Sequence, residues 1–81
     1  MNITEFVTYL ITNIVKNPDM VKVSCFNAED NSTTVEVLVA NEDMGAVIGK
    51  QGKNAKAIRT MTEAYAYLHD IKRIKINIDS F

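Results

Sequence analysis

At 81 residues the chain has room for one domain of about the smallest self-sufficient size, which leaves no volume for an active site in a deep two-lobed cleft. Hydrophobic residues make up 47% and charged residues 23%, a balance that excludes disorder, collagen-like repeats and a coiled coil as the main state. The formal charge of −1 averages two unlike halves, because residues 1–43 carry two bases against seven acids and residues 44–81 carry seven bases against three acids.

Asn2 and Glu5 have capping-box spacing, and Ile3, Val7, Leu10 and Ile14 follow at helical intervals. This first helix is expected to stop at Asn17-Pro18. Val21 to Phe26 reads as a strand, Asn27 to Ser32 as a polar turn, and Thr33 to Ala40 as a second strand in which Val35, Val37 and Val39 alternate with Thr34, Glu36 and Leu38. The pair should form an antiparallel hairpin. Asn41 is placed to cap a short helix over Glu42 to Ile48, with Glu42 and Asp43 as acids that suit a helix N-terminus and need no acid–base role. A longer helix should run from Lys53 to His69, with Ile58, Met61, Tyr65 and Leu68 as its buried stripe. Ile71, Ile74, Ile76 and Ile78, interleaved with Lys72, Lys75, Asn77 and Asp79, make a last strand.

The order α-β-β-α-α-β predicts an α+β fold, one domain over residues 1–81. The second strand reaches the last through two helices, a crossover that favours parallel, right-handed pairing. The expected sheet is three-stranded and mixed, with Thr33 to Ala40 central and three helices on one face.

Between the two later helices lies Gly49-Lys50-Gln51-Gly52, preceded by Val47-Ile48 and followed by Lys53. A glycine has no Cβ, so the backbone at Gly49 and Gly52 can turn sharply and lie directly against a sugar-phosphate chain. Free N–H groups at the start of the next helix accept phosphate, assisted by the helix dipole. Lys50 and Lys53 supply charge, Gln51 donates or accepts hydrogen bonds, and Lys56 and Arg59 follow Lys53 at three-residue steps that keep them on one broad helix face. Gly45 to Thr62 contains these four cations and no acid, and it is the local field that attracts phosphate. Ala55 and Ala57 keep the helix slim, so a groove bordered by Ile48, Ala55 and part of the central strand is expected to admit bases.

The motif Ile48-Gly49-Lys50-Gln51-Gly52 and the element order resemble the KH domain of prokaryotic, type II topology. The stretch Met44 to Thr60 and Asn17-Pro18-Asp19 are similar to the KhpA family, the small bacterial single-domain KH proteins, and the resemblance covers nearly the whole chain. It implies a non-enzymatic protein that binds single-stranded RNA, with an RNA-chaperone role. The implied partners are a second copy of itself or a larger KH-containing protein, KhpB or Jag, in pairs linked to cell-envelope and cell-length regulation. Carried over by position, the phosphate clamp is Gly49, Lys50, Gln51 and Gly52 with Ile48 in front, and Lys53, Lys56 and Arg59 extend the binding surface. The chain departs from the pattern at Ala55, where a large aliphatic is usual, and at Asn54, often aliphatic in the small family.

Competing readings are weaker. Gly45 to Gln51 has three residues between its glycines where a nucleotide-binding P-loop needs four, and Gln51 stands where the magnesium-binding hydroxyl belongs. A DNA-binding helix-turn-helix is a better rival, but its first helix would be short and the flanking strands fit KH better. A protein-interaction subunit with incidental nucleic-acid binding is the main alternative, with Ile71 or Ile74 of the last strand as its surface. His69, the one histidine, is expected to meet last-turn carbonyls rather than act in catalysis. Tyr65, Tyr67 and Phe26 are candidates for stacking on bases, although no aromatic falls between Met44 and Thr62.

Cys25 is alone, so no internal disulfide or multi-cysteine metal site forms, and it reads as a small core or edge residue. No metal or cofactor is expected. No apolar run approaches the ~20 residues of a membrane span, and Glu5 sits where a signal peptide needs a basic start, so the expectation is a cytoplasmic protein.

Overall fold

The computed structural model describes residues 2–81, so Met1, the first residue of the signal-peptide argument, lies outside it. The elements are α1 (Ile3–Thr12), β1 (Lys22–Asn27), β2 (Thr33–Val39), α2 (Met44–Ile48), α3 (Lys53–Leu68) and β3 (Ile74–Ser80), with 3₁₀ turns at Pro18–Met20, Asn41–Asp43 and Lys50–Gly52. The capping box forms: Asn2 Oδ1 accepts from the Glu5 N–H at 2.8 Å and Glu5 Oε1 accepts from the Asn2 N–H at 3.1 Å. The helix ends at Thr12, five residues before the expected stop, with Asn13 as its C-cap. Its buried positions are Ile3, Val7 and Ile11, while Leu10 and Ile14 are half-buried.

The sheet order is β1-β2-β3, antiparallel between β1 and β2 and parallel between β2 and β3, as the crossover predicts. In β2 the alternation places Val35, Val37 and Val39 in the core and leaves Thr34, Glu36 and Leu38 half-buried on the other face. Val7, Ile11, Val47 and Ile58 meet these valines and Ile76 from the helical side. Full burial of each such side chain stabilises by about 1.5–3 kcal/mol relative to exposure. Cys25, on the edge strand β1, is exposed.

The stripe of α3 is turned from the expected one. Ile58, Thr62 and Ala66 are buried, Tyr65 is half-buried, and Met61 and Leu68 are 42% and 77% exposed. Small side chains let the helix lie close to its neighbours, and Thr62 satisfies its hydroxyl on the Ile58 carbonyl at 2.7 Å.

Asp43 is not a surface dipole partner. It is 1% exposed, and its carboxylate accepts from the main-chain N–H of Lys16 at 3.0 Å, the N–H of Asn17 at 3.1 Å and Asn17 Nδ2 at 3.0 Å. Asn17 Nδ2 also donates to Glu42 Oε1 at 2.6 Å. The Lys16 N–H leads the contacts that hold the Asp43 carboxyl below its ordinary pKa, against an opposing push from burial. Asn41 makes no side-chain cap and instead accepts from Ser80 Oγ at 3.3 Å. These contacts fix the start of α2, and with it the loop that follows, to the segment after α1.

No helix among the described residues is long and apolar enough to cross a membrane.

Candidate functional site

The break between α2 and α3 is built almost wholly from left-handed backbone. Gly49 has φ 77° and ψ 172°, Gln51 φ 58° and ψ 25°, and Gly52 φ 74° and ψ 14°. Gly49 lies in a region that is essentially restricted to glycine, whereas Gly52 is in the ordinary left-handed well. The loop closes through the Gly52 N–H on the Gly49 carbonyl at 3.1 Å.

The two glycines have different duties. A Cβ on Gly49 would fall 2.7 Å from Asn54 Cγ, 2.8 Å from its Cβ and 2.9 Å from its main-chain nitrogen, whereas a Cβ on Gly52 would meet nothing within 4 Å. Asn54 cannot retreat freely, because its Nδ2 donates to the Ala46 carbonyl at 2.7 Å. That bond satisfies one of the last carbonyls of α2 and clips it to the first turn of α3. Asn54 is a structural brace of the loop, a role that its sequence position did not reveal.

Gly52 caps α3 without a side-chain acceptor, and no acid occupies the first turn. Lys50, Gln51, Lys53, Lys56 and Arg59 are exposed, and Ile48 is half-buried behind them. Each three-residue step drifts by about 60° around a helix of 3.6 residues per turn, so Arg59 points about 120° away from Lys53. Lys53 and Lys56 border a shallow apolar surface with Ala57, Thr60 and Met61. Arg59 instead lines a separate cleft of about 260 Å³ between α3 and the edge strand β3, with Thr62, Glu63, Ile74, Lys75, Ile76 and Asn77. β3 forms one wall of this cleft, and neither Ile48 nor Ala55 lines it.

The other candidates resolve differently. His69 meets the Tyr65 and Ala66 carbonyls of the last turn through its main-chain N–H, at 3.2 Å and 3.1 Å, while its ring stacks on Tyr65 at 4.2 Å and Tyr65 stacks on Phe6 at 4.6 Å, so Tyr65 is engaged. Tyr67 and Phe26 are exposed at 83% and 54%. Ile71 and Ile74 pack half-buried against the core, and Met61 and Leu68 of α3 are among the exposed large apolar side chains. Among the described residues, no group of three or more His, Cys, Asp or Glu side chains is arranged to hold a metal.

The αββααβ order, the parallel return of β3 onto β2 and the glycine loop between two helices define a KH domain of type II topology. Among solved structures, Era bound to MgGDPNP and nucleotides 1506–1542 of 16S ribosomal RNA shares this fold, with a TM-score of 0.63 and 18% identity over 96% of this chain. The chain spans 29% of the length of that protein. A family model described as the KH domain of KhpA/KhpB matches residues 4–78. The RNA-binding protein KhpA of Caldanaerobacter subterraneus subsp. tengcongensis is 45% identical over 74 residues, covering 91% of this chain and 96% of its own. That of Clostridium acetobutylicum is 48% identical over 66 residues, covering 82% and 85%, and that of Listeria monocytogenes is 39% identical over 74 residues, covering 91% and 95%. The chain belongs to the KhpA/KhpB KH-domain family.

Proposed function

We propose that this protein binds single-stranded RNA, with Gly49, Lys50, Gln51 and Gly52 clamping the sugar-phosphate backbone, Ile48 supporting the loop, and Lys53, Lys56 and Arg59 carrying the strand along α3. The observation that supports this most is the left-handed loop running into the uncapped, acid-free N-terminus of α3, flanked by Lys50 and Lys53. Main-chain N–H groups, the helix dipole and two ammonium groups then act on the same phosphates. The relatives named RNA-binding protein KhpA support RNA as the nucleic acid. A KH module takes about four nucleotides, so one copy binds weakly, and the role is that of an RNA chaperone or post-transcriptional regulator in the cytoplasm. Residues 1–81 act as one KH domain, a binding module without catalytic chemistry.

The footprint is tested by titrating isotope-labelled protein with a short single-stranded RNA. Amide shifts concentrated on residues 48–53, 56 and 59 are expected, and shifts confined to the helix-free sheet face contradict the reading.

A partner-binding role is supported by a second observation. Ala57, Met61, Ala64 and Leu68 recur at intervals of four, three and four residues on α3, and all are exposed. This is the seam spacing of a helix pair. In an antiparallel pair of α3 helices centred between residues 61 and 64, Ala57 faces Leu68 and Met61 faces Ala64, each small side chain opposite a large one. Asp70, just beyond the end of each helix, then lies beside the cationic first half of the other, with opposed dipoles. We assign this face to a second copy of the chain, and a KhpB/Jag-like KH partner would use the same seam. Two clamps in one particle raise avidity without any new contact.

A further inference from the structure

Tyr67 is 83% exposed near the end of α3. Among the described residues its ring stacks on no other ring and its hydroxyl meets no partner. It adds nothing to the core, which α3 reaches through Ile58, Thr62 and Ala66. The clamp, for its part, has no aromatic in the stretch that holds it, Met44 to Thr62, although stacking on aromatic rings is a common source of affinity for single strands.

Pairing through α3 supplies the missing ring. At about 100° per residue, Lys53, Lys56, Thr60 and Tyr67 share an arc of about 60° on the helix surface. That arc lies about a quarter turn from the seam of Ala57, Met61, Ala64 and Leu68. The two-fold axis of an antiparallel pair is normal to the plane of its helices, so both copies turn this arc toward the same side. In the register that sets Ala57 opposite Leu68, Tyr67 of one copy stands level with the gap between Lys56 and Thr60 of the other, with helix axes about 8–10 Å apart. Two depressions of the surface meet there, one lined by Lys53, Lys56, Ala57, Thr60 and Met61, the other by Tyr67, Leu68, Asp70, Ile71 and Lys72. With Leu68 of one copy over Ala57 of the other, they join into one pocket with an apolar floor, a tyrosine on one wall and two lysines on the opposite rim.

We propose that Tyr67 of one copy stacks on a base of the strand clamped by the other copy, so that the RNA site is complete only in the pair. The inference rests on the RNA-binding and α3-pairing readings above. A strand leaving the loop past Lys53 and Lys56 keeps its phosphates on those ammonium groups, and a base turned toward the neighbouring helix meets the Tyr67 ring. Every base has a π-face, so the contact adds affinity without reading sequence.

The test mixes two variants, Tyr67→Ala with its loop intact and the double change Lys50→Asp, Gln51→Asp with its Tyr67 intact. All three positions are exposed, so both variants fold. The probe is fluorescein-labelled hexa-adenylate, too short to fill two clamps of about four nucleotides each. Binding is read by fluorescence anisotropy, at concentrations where sedimentation equilibrium finds the wild type paired. Tyr67→Ala alone should lose at least about fivefold in affinity, and the loop variant alone should not bind. In the equimolar mixture, half of the intact loops sit in mixed pairs beside a Tyr67 from the other copy, and these should regain wild-type affinity. Adding Leu68→Lys to the loop variant should abolish that recovery. A Tyr67→Ala affinity equal to the wild type, no recovery in the mixture, or a recovery that survives Leu68→Lys overturns stacking across the pair while RNA binding stands. A wild type that binds the probe but never pairs removes the α3 seam and this inference together. A wild type that does not bind overturns the RNA-binding reading and this inference with it.

Discussion

Adding one methyl group to the loop should separate its two glycines sharply. At Gly52 an alanine must hold a left-handed conformation, which costs about 1–2 kcal/mol. The smaller entropy of the unfolded chain returns roughly 0.4–1 kcal/mol of that. With no atom within 4 Å of the new Cβ, the net loss for Gly52→Ala should be about 1.6 kcal/mol or less. At Gly49 the backbone strain alone is of order 1–3 kcal/mol. The new Cβ also lies 2.7–2.9 Å from three atoms of Asn54, one of them main chain, and the Asn54 side chain is held by its bond to Ala46. Overpacking of that kind adds about 1–3 kcal/mol. Gly49→Ala should therefore lose about 2–5 kcal/mol, and at about 4–8 °C per kcal/mol for a chain of this size its Tm should fall by about 8 °C or more. Thermal unfolding followed by circular dichroism measures both variants. Asn54→Gly removes two of the three crowding atoms, so combining it with Gly49→Ala should cost less than the sum of the two single changes. A Gly49→Ala shift no larger than that of Gly52→Ala would refute the asymmetry.

Three other outcomes follow from the same structure. The folded Asp43 carboxyl has a lowered pKa, so its stabilisation is complete above the ordinary carboxylate value and drains away as pH falls through the folded value. The wild-type Tm should therefore drop on acidification below about pH 4. Asp43→Asn, which turns an amide donor toward the Lys16 or Asn17 N–H, should have a lower Tm at neutral pH and a shallower acid dependence, with Asp30, also lowered, supplying part of the remainder. Identical pH dependences would contradict this. Asn2→Ala breaks the capping box and should cost about 1 kcal/mol in denaturant unfolding, with no change in RNA affinity. Leu68→Lys leaves a surface that is already 77% exposed in the monomer, so the fold should persist. Each pairing through α3 buries two copies of Leu68 at about 1.5–3 kcal/mol apiece, so the dimer dissociation constant should rise roughly 100-fold or more in sedimentation equilibrium. An unchanged self-association would remove α3 from the interface.

Where a local rule decides the outcome, the sequence was enough. The period of two in β2 set the buried valines, Asn2 and Glu5 formed their cap, and the two-helix crossover required a parallel β3. The glycine loop was legible because Gly49 and Gly52 both adopt positive φ. Other features depend on which element packs where. Ranking side chains by hydrophobicity selects Met61 and Leu68 for the core of α3, yet close helix packing favours Thr62 and Ala66. Asp43 looks like a helix-start acid, and its buried role depends on N–H groups 26 and 27 positions earlier in the chain. Asn54 becomes a brace only when α2 folds back beside it. Ile14 kept the apparent helix period going past Thr12, although the chain has already turned there.

The central claim is that the Gly49–Gly52 loop holds the RNA backbone. The most direct test is the affinity of a labelled single-stranded RNA at several salt concentrations for the wild type and for the double variant Lys50→Asp, Gln51→Asp, with folding checked by circular dichroism. About four phosphate contacts at ~0.7 per phosphate give a slope of log affinity against log salt near −3 for the wild type, and the folded variant should lose binding. A folded variant that binds as tightly as the wild type, with the same slope, would contradict the clamp.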